Sequence, residues 1–300
     1  MKYRQPVVSI SPFIVWVSCL LFVCQSCERI NKEKNENLEV AVQFAALQSE
    51  LLSVVECVDE IADQSNGNGI SSTVNTTFLG KNGLLELVDS TYQDGDGIEF
   101  FISFSDPSLP FSQAQKSMDG KYRAGKIWVK IVSHYQENSA IAEVKIDKGM
   151  RYSVGITTDN PREFVLSMTL VRVLKKTFDI KVGKLSQIGI SDPVQLTGQC
   201  SLEKVVGITI PGILGDHYLF NGKGLISEAD GHNFSWAIAL PLLKKMEPGC
   251  AVVCVKGVVD LNDDKDNKRI NIDYDPFENE ACDRFVRATI AGKIIDFEIE

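Results

Sequence analysis

Histidine is scarce in this sequence. Its three copies, His134, His217 and His232, lie far apart, each beside a turn signal. None belongs to an H-E-x-x-H helix and no G-x-S-x-G elbow occurs, so the sequence signs of zinc-peptidase and serine-hydrolase chemistry are missing. Basic charge is also short: 31 Lys and Arg face 40 Asp and Glu, a formal net charge of -9. An acidic surface repels phosphates, which argues against nucleic acid as a partner and against electrostatic adhesion to anionic lipid. The N-terminal apolar run, Phe13 to Cys24, is about a dozen residues long where a bilayer span needs roughly 20. What is present is the composition of a globular protein, 44% apolar and 24% charged. Three hundred residues suffice for two modest domains or one large β domain.

The N-terminus reads as export. Lys2 and Arg4 precede the apolar run, and Cys24-Gln25-Ser26-Cys27 follows it. A small residue directly before a Cys at the end of such a run resembles a lipobox, so residues 1–27 are expected to be a lipoprotein signal peptide with Cys27 acylated. Several acyl chains on one Cys make an attachment effectively permanent. Plain secretion after ordinary cleavage and an uncleaved anchor are the alternatives. Residues 28–37, polar and without apolar periodicity, are expected as a flexible tether. From 38 to 64 apolar residues recur at three- and four-residue steps without Gly or Pro, which predicts a helix packed on the body. Asn66-Gly67-Asn68-Gly69 ends it, and residues 65–77 form a linker.

Beyond the linker the pattern is strand-like. Ile98, Phe100, Ile102 and Phe104 alternate with more polar positions, as do Ile127, Val129 and Ile131, and Ala140, Ala142, Val144 and Ile146. Turn signals separate the runs at 94–97, 159–161, 221–222 and 230–231. The fold class expected is all-β, antiparallel sheets in a sandwich-like or layered arrangement after one helix, with a first β-rich half at 78–185 and a second at 186–300. A duplication is suggested by aromatic residues near Asp-Pro followed by A-G-K-I, once between Phe104 and Ile127 and again between Tyr274 and Ile294.

The last fifty residues are an antiparallel meander, with apolar Val255 and Val259, Ile270 and Ile272, Val286 and Ile290, Ile295 and Phe297 at period two. Gly249-Cys250, V-x-G-x-V at Val255 to Val259, I-x-I-D-Y at Ile270 to Tyr274, Cys282-Asp283 and Gly292-Lys293 together resemble the end of a group of uncharacterised lipoproteins from Bacteroidota. Ile61-Ala62-Asp63-Gln64, the D-G-K-Y-R-A-G-K-I segment at Asp119 to Ile127, and Pro241 to Lys245 resemble the same group. The chain departs from that pattern at Ala291-Gly292, where Asn-Gly is expected, and in lacking a Cys on the first strand after the helix. The resemblance implies a β-rich lipoprotein of the cell envelope, and no activity.

Beyond the leader and Cys27, the chain keeps Cys57, Cys200, Cys250, Cys254 and Cys282. An odd number leaves at least one thiol free. Cys250 and Cys282 both lie next to loops and are the favoured bridge; closing about 30 residues stabilises by roughly 3 kcal/mol on the loop-entropy model. A zinc site is not expected. Two acidic loops, with Asp94 and Asp96, and with Asp263, Asp264 and Asp266, offer hard oxygen ligands of the kind calcium takes, but neither has the full calcium-loop spacing, and solvated turns are the favoured reading. Asp89-Ser90-Thr91 matches a short O-glycosylation acceptor motif, placing Ser90 as a candidate. Trp128 and Trp236 are either a sugar platform or packing residues, packing being the commoner role of a strand aromatic.

These features make the chain an expected outer-membrane lipoprotein, on the surface or periplasmic face, that binds or scaffolds without catalysis and uses no cofactor. Its partners are expected to be membrane lipid, through acylated Cys27, and an envelope protein or glycan. A carbohydrate-active or other hydrolase with an acidic site, which needs two converging carboxylates in a cleft, is one alternative. A periplasmic carrier of apolar ligand, which needs an open apolar cavity, is the other.

Overall fold

The computed structural model describes residues 12–299 apart from 75, 77, 80–82, 107, 118, 175, 208–214, 248, 249, 251–253, 266 and 267, with side chains from Asn37 onward. Helix α1 spans Pro12–Ala62, so the segment expected as a tether falls inside its span. The helix ends at its expected turn. Ser65 donates its hydroxyl to the Ala62 carbonyl at 2.7 Å, and Asn66 and Gly69 exchange main-chain hydrogen bonds at 2.9 Å. Gly69 holds φ +133, where a Cβ would collide with the Ser90 carbonyl.

This helix is not laid on the body by one stripe, as periodicity suggests; every residue from Phe44 to Asp59 is buried. The stretch Asn37–Ala62 is long and apolar enough to cross a bilayer, yet 78% of its apolar window is covered inside the protein. A helix covered on all sides is a core element. The cover here is a β-sheet.

Among the described residues fifteen strands supply it: β1 (Leu84–Asp89), β2 (Ile98–Ser105), β3 (Gln115–Lys116), β4 (Tyr122–Ile131), β5 (Ile141–Ile146), β6 (Ser153–Gly155), β7 (Arg162–Leu174), β8 (Thr177–Ile188), β9 (Gln195–Val206), β10 (His217–Ser227), β11 (Asn233–Lys245), β12 (Cys254–Asp263), β13 (Arg269–Asp273), β14 (Phe285–Ile290) and β15 (Lys293–Glu298). They form one antiparallel sheet in near-sequential order, with short β3 and β6 off the main path. The expected all-β fold after one helix is therefore what forms, built as a single sheet rather than two stacked ones. The expected boundary at 185/186 lies inside β8, which pairs β7 on one side and β9 on the other.

The sheet curls because its ladders are interrupted. Register shifts occur between β10 and β11 and three times between β11 and β12, and each such irregularity bends and twists a strand. The inward rows, among them Ile98, Phe100, Ile127, Val129, Ile180, Val259, Ile270 and Ile272, are almost fully buried with the helix in one core. Each such side chain contributes about 1.5–3 kcal/mol on burial. Helix side chains reach strands all round: Phe44 packs on Trp236 at 5.6 Å between ring centroids, Gln48 bonds Tyr274, Glu50 bonds Tyr152 and Asp59 bonds Tyr135.

Two local points follow from glycine. Gly198, Gly222 and Gly224 lie against the ring of Trp236, and a Cβ on any of them would come within 3.1 Å of it. At the last hairpin Ile290 pairs Lys293, leaving the two-residue turn Ala291-Gly292 with φ +48 and +77. That is the left-handed pair an Asn-Gly turn adopts, here carried with an alanine. The A-G-K-I segments of the suggested duplication take different places in the sheet. Ala124-Gly125-Lys126-Ile127 runs within β4, whereas Ala291-Gly292-Lys293-Ile294 makes this turn.

Candidate functional site

The helix carries a polar stripe through the apolar interior. Glu50, Ser53, Glu56 and Asp59 recur every three residues and all are buried. Three residues fall about 60° short of a full turn, so the stripe winds round the helix and each group faces a different part of the sheet. An unpaired buried charge is costly, and the sheet supplies a partner in each direction.

Glu50 accepts from Lys121 at 3.3 Å and from the Tyr152 hydroxyl at 2.6 Å. The Lys121 ammonium also donates to Ser53 at 2.9 Å and Ser49 at 3.4 Å. Beside it Arg123 donates to both oxygens of Asp119, one at 2.8 Å, and to Tyr152 at 3.2 Å. The Arg123 guanidinium lies over the rings of Phe78 and Phe104. Glu56 pairs with Lys244 at 2.6 Å. Near the helix C-terminus Asp59 accepts from Tyr135 at 3.0 Å, Lys176 pairs with Asp63 at 2.7 Å, and Arg172 with Asp63 at 3.5 Å.

Burial and pairing pull these groups in opposite directions. Burial pushes the Asp119 carboxyl up, but the charge and hydrogen bonds of Arg123 outweigh it and hold the group below its usual range. For Glu56 burial wins over the attraction of Lys244 and the pKa is raised; its Oε1 lacks a hydrogen-bond partner. Burial lowers Lys121, with the repulsion of Lys244 and Arg123 adding to it against the pull of Glu50.

One part of this network meets a cavity. A hollow of about 250 Å³ lies between the helix and the sheet, lined by Ser49 and Glu50 of α1, Lys121, Arg162 and Phe164 of β7, and Arg284 ahead of β14. Lys121 and Glu50 are buried side chains that form its polar floor. Phe164 contributes an apolar wall. Arg284 is held at the rim by Glu298 at 3.3 Å. The lining thus carries Lys121, Arg162 and Arg284 beside the carboxylate Glu50, with Lys121 paired to Glu50 and Arg284 to Glu298.

The residues singled out from sequence are placed elsewhere. Cys250 and Cys282 are bonded, their Cα atoms 4.5 Å apart, and Cys57, Cys200 and Cys254 are free and buried. The side chain of Cys27 and the whole of Asp266 lie outside the described residues. Asp94 and Asp96 come together with Asp89 on an exposed turn, their carboxylate oxygens within 4.8 Å of one another. The hydrogen bond between Asp94 and Asp96 lowers the first and raises the second. In the other acidic loop Asp263 is turned towards His232, 2.8 Å away, and Asp264 is exposed. Ser90 is exposed just after β1. Trp236 is core, covering the three glycines; Trp128 packs across strands, bonding Glu99 at 2.8 Å under the Lys145 ammonium.

Sequence reasoning missed the buried network. Its signal was a second helical stripe, the acids at 50, 56, 59 and 63 woven between apolar positions, together with the D-x3-R spacing of Asp119 and Arg123. No protein-family model, curated protein or solved structure matches the chain.

Proposed function

We propose that this protein is a lipid-anchored, non-enzymatic binding protein of the bacterial cell envelope, and that its ligand site is the cavity floored by Lys121 and Glu50. The observation that carries the binding part is the union of a hollow of about 250 Å³ with buried charged side chains in its wall. A concave site with apolar walls and a few fixed polar groups is the usual form of a small-ligand site. Anchoring is supported by Ser26-Cys27, which resembles a lipobox, and by the resemblance to Bacteroidota lipoproteins, both of which favour the outer membrane, on its surface or periplasmic face.

Binding is favoured over the two alternatives by how the interior is filled. Acid-base hydrolysis of glycosides uses two carboxyl groups flanking a scissile bond. Among the described residues the cavity lining holds one carboxylate, and the buried acids Glu50, Glu56, Asp59 and Asp119 each face a cation. A carrier of acyl chains needs an apolar lumen; here the space inside the curled sheet is occupied by α1.

Intact mass and detergent partitioning of the native protein beside Cys27→Ala, followed by protease shaving of whole cells, tests the anchor. Acyl mass on the wild type, lost with Cys27→Ala, is the expected result; an unchanged mass and unchanged partitioning overturn the anchoring. Screening the full chain in detergent on glycan and metabolite arrays tests the binding. Ligands whose capture is lost when Ala46→Phe, at a lining residue of α1, fills the cavity are expected; capture unaffected by that change moves the site elsewhere.

A further inference from the structure

We propose that strand β15 is a pairing edge for a second copy of this chain: two copies join antiparallel through β15, about a two-fold axis at Asp296. The sheet is curled but not closed. Strand β15 bonds β14 alone and β1 bonds β2 alone, so among the described residues each leaves one edge without a neighbouring strand. An open edge is a ready template for another strand.

The last hairpin fixes which groups face out. Ile299 donates its N–H to the Arg284 carbonyl at 3.0 Å, and bonded pairs alternate along an antiparallel ladder. Lys293, Ile295 and Phe297 therefore bond β14, while Ile294, Asp296 and Glu298 turn their N–H and C=O groups away from it. The devices that blunt an open edge, bulges and free charges among them, are weak here. Strand β1 carries a register shift between Leu87 and Asp89, but β15 pairs β14 without one. Its carboxylates are neutralised inside their own hairpin, Asp296 by Arg287 at 2.7 and 3.0 Å and Glu298 by Arg284 at 3.3 Å. Apolar surface gathers beside it: Ile294 is 64% exposed and Phe285, one strand in, 44%.

The strand is complementary to itself. Set antiparallel, the outward-bonding residues meet as Ile294 with Glu298 of the second copy and Asp296 with its own counterpart, and Ile295 falls beside Phe297 of the second copy. Ile295 and Phe297 are core-facing residues only partly covered at this edge, and an aromatic beside a β-branched side chain is a favourable cross-strand pair. The two Asp296 carboxylates each keep their Arg287, so the row across the joint is neutral. A shift by two residues sets Lys293 beside Phe297 and Ile294 beside Asp296, and loses this match. A two-fold joint uses β15 of both copies and so closes the assembly at two. One strand on each side makes a small interface, hence a weak pair.

Cysteine scanning of the full chain in excess non-ionic detergent tests the joint, with mild copper-catalysed air oxidation and cross-linked dimer read on a gel. Residues opposed in a bonded pair have Cα atoms about 5.5 Å apart, within the span of a disulfide. Asp296→Cys is expected to cross-link to itself. Ile294→Cys and Glu298→Cys are expected to cross-link to each other in a mixed sample and severalfold less to themselves. Asp179→Cys, at an exposed position of β8, is the collision control. Sedimentation of the unaltered chain is expected to show monomer and dimer exchanging at micromolar concentration. Ile294→Pro is expected to weaken the dimer severalfold with the unfolding midpoint in place, because it removes an edge N–H that the fold does not use.

Asp296→Cys yields no higher than those of Asp179→Cys, or a monomer at every concentration, overturn the pairing, and neither reading depends on how the proline variant folds. Ile294→Cys linking mainly to itself overturns the axis at Asp296. Species larger than dimers mean that β15 meets β1 head to tail, and overturn the two-fold joint. Asp296→Cys linked in whole cells to a different protein gives the edge to a foreign strand and overturns self-pairing.

Discussion

Lys244 of β11 and Glu56 of α1 meet 2.6 Å apart inside the protein, both side chains sealed from water. Removing one partner leaves the other as an uncompensated buried charge, so Lys244→Met alone is expected to cost about 3–5 kcal/mol. Lys244→Met combined with Glu56→Leu replaces the pair by apolar contact and is expected to be close to neutral or stabilising. The single variant also carries a pH signature. Burial already raises the Glu56 carboxyl against the pull of Lys244, and without Lys244 it rises further. A raised carboxyl is stable where it is protonated, so the penalty shrinks as pH falls and grows as pH rises through that pKa. Urea midpoints at two pH values, for the single and double variants, measure both effects; equal losses in the two would show that the pair is not what holds helix to sheet here.

Gly198 is required by Trp236. A Cβ there would stand 2.6 Å from both the Trp236 ring and the Lys223 carbonyl, and overpacking of this kind costs about 1–3 kcal/mol. Gly183 in β8 is the matched comparison, since its Cβ would meet nothing closer than 3.4 Å. Gly183→Ala is expected to be neutral or to gain up to about 1 kcal/mol by stiffening the unfolded chain. Thermal melts should therefore move in opposite directions, or at least by clearly different amounts, and Trp236 fluorescence should change only in Gly198→Ala.

Among the residues whose side chains are described, the cysteines divide into one bridge and three sealed thiols. Cys250 and Cys282 close a loop of sequence separation 32, and on the chain-entropy model Cys282→Ser costs about 3–4 kcal/mol. Burial pushes the thiols of Cys200 and Cys254 to about 12, and Cys57 is raised well above its ordinary value for the same reason. The thiolate is the nucleophile. Iodoacetamide is thus expected to leave all three unmodified in the folded protein and to label all three after denaturation, as read by peptide mapping. Labelling of any of them under native conditions would mean that the helix leaves its place in the sheet.

Strand periodicity was legible because it is local. Val255 to Val259, Ile270 to Asp273 and Val286 to Ile290 each alternate within a few residues, and all three lie in strands. The helix was legible for the same reason, but its position was not. Apolar steps such as Leu51, Leu52, Val55 and Val58 say that one face is buried; that Glu50 and Glu56, on other sides of the helix, are buried too depends on Lys121 and Lys244, 71 and 188 residues away. The same distance hides the cavity, whose arginines come from 162 and 284 and acquire meaning only when the sheet curls back on Glu50. Neither a stripe nor a spacing in one segment encodes such a pairing.

His232 gives the last pH dependence. Its Nδ1 lies 3.0 Å from Glu228 and its Nε2 2.8 Å from Asp263, with the Phe234 ring 4.7 Å away. Burial disfavours the imidazolium, but the hydrogen bond to Asp263 and the charges of Asp263, Glu228 and Asp230 outweigh it, and the pKa is raised above 6.5. A His raised in the folded state stabilises fully below its unfolded pKa, and that contribution is lost as pH rises through the folded value. His232→Gln is therefore expected to lower stability near pH 6 by about 0.2–1 kcal/mol, the range of partly exposed ion pairs, and by much less near pH 9. NMR titration of the His232 ring in the wild type gives the midpoint directly. A midpoint at or below 6.5, or a penalty that grows with pH, would mean that the two carboxylates do not hold the proton on this ring.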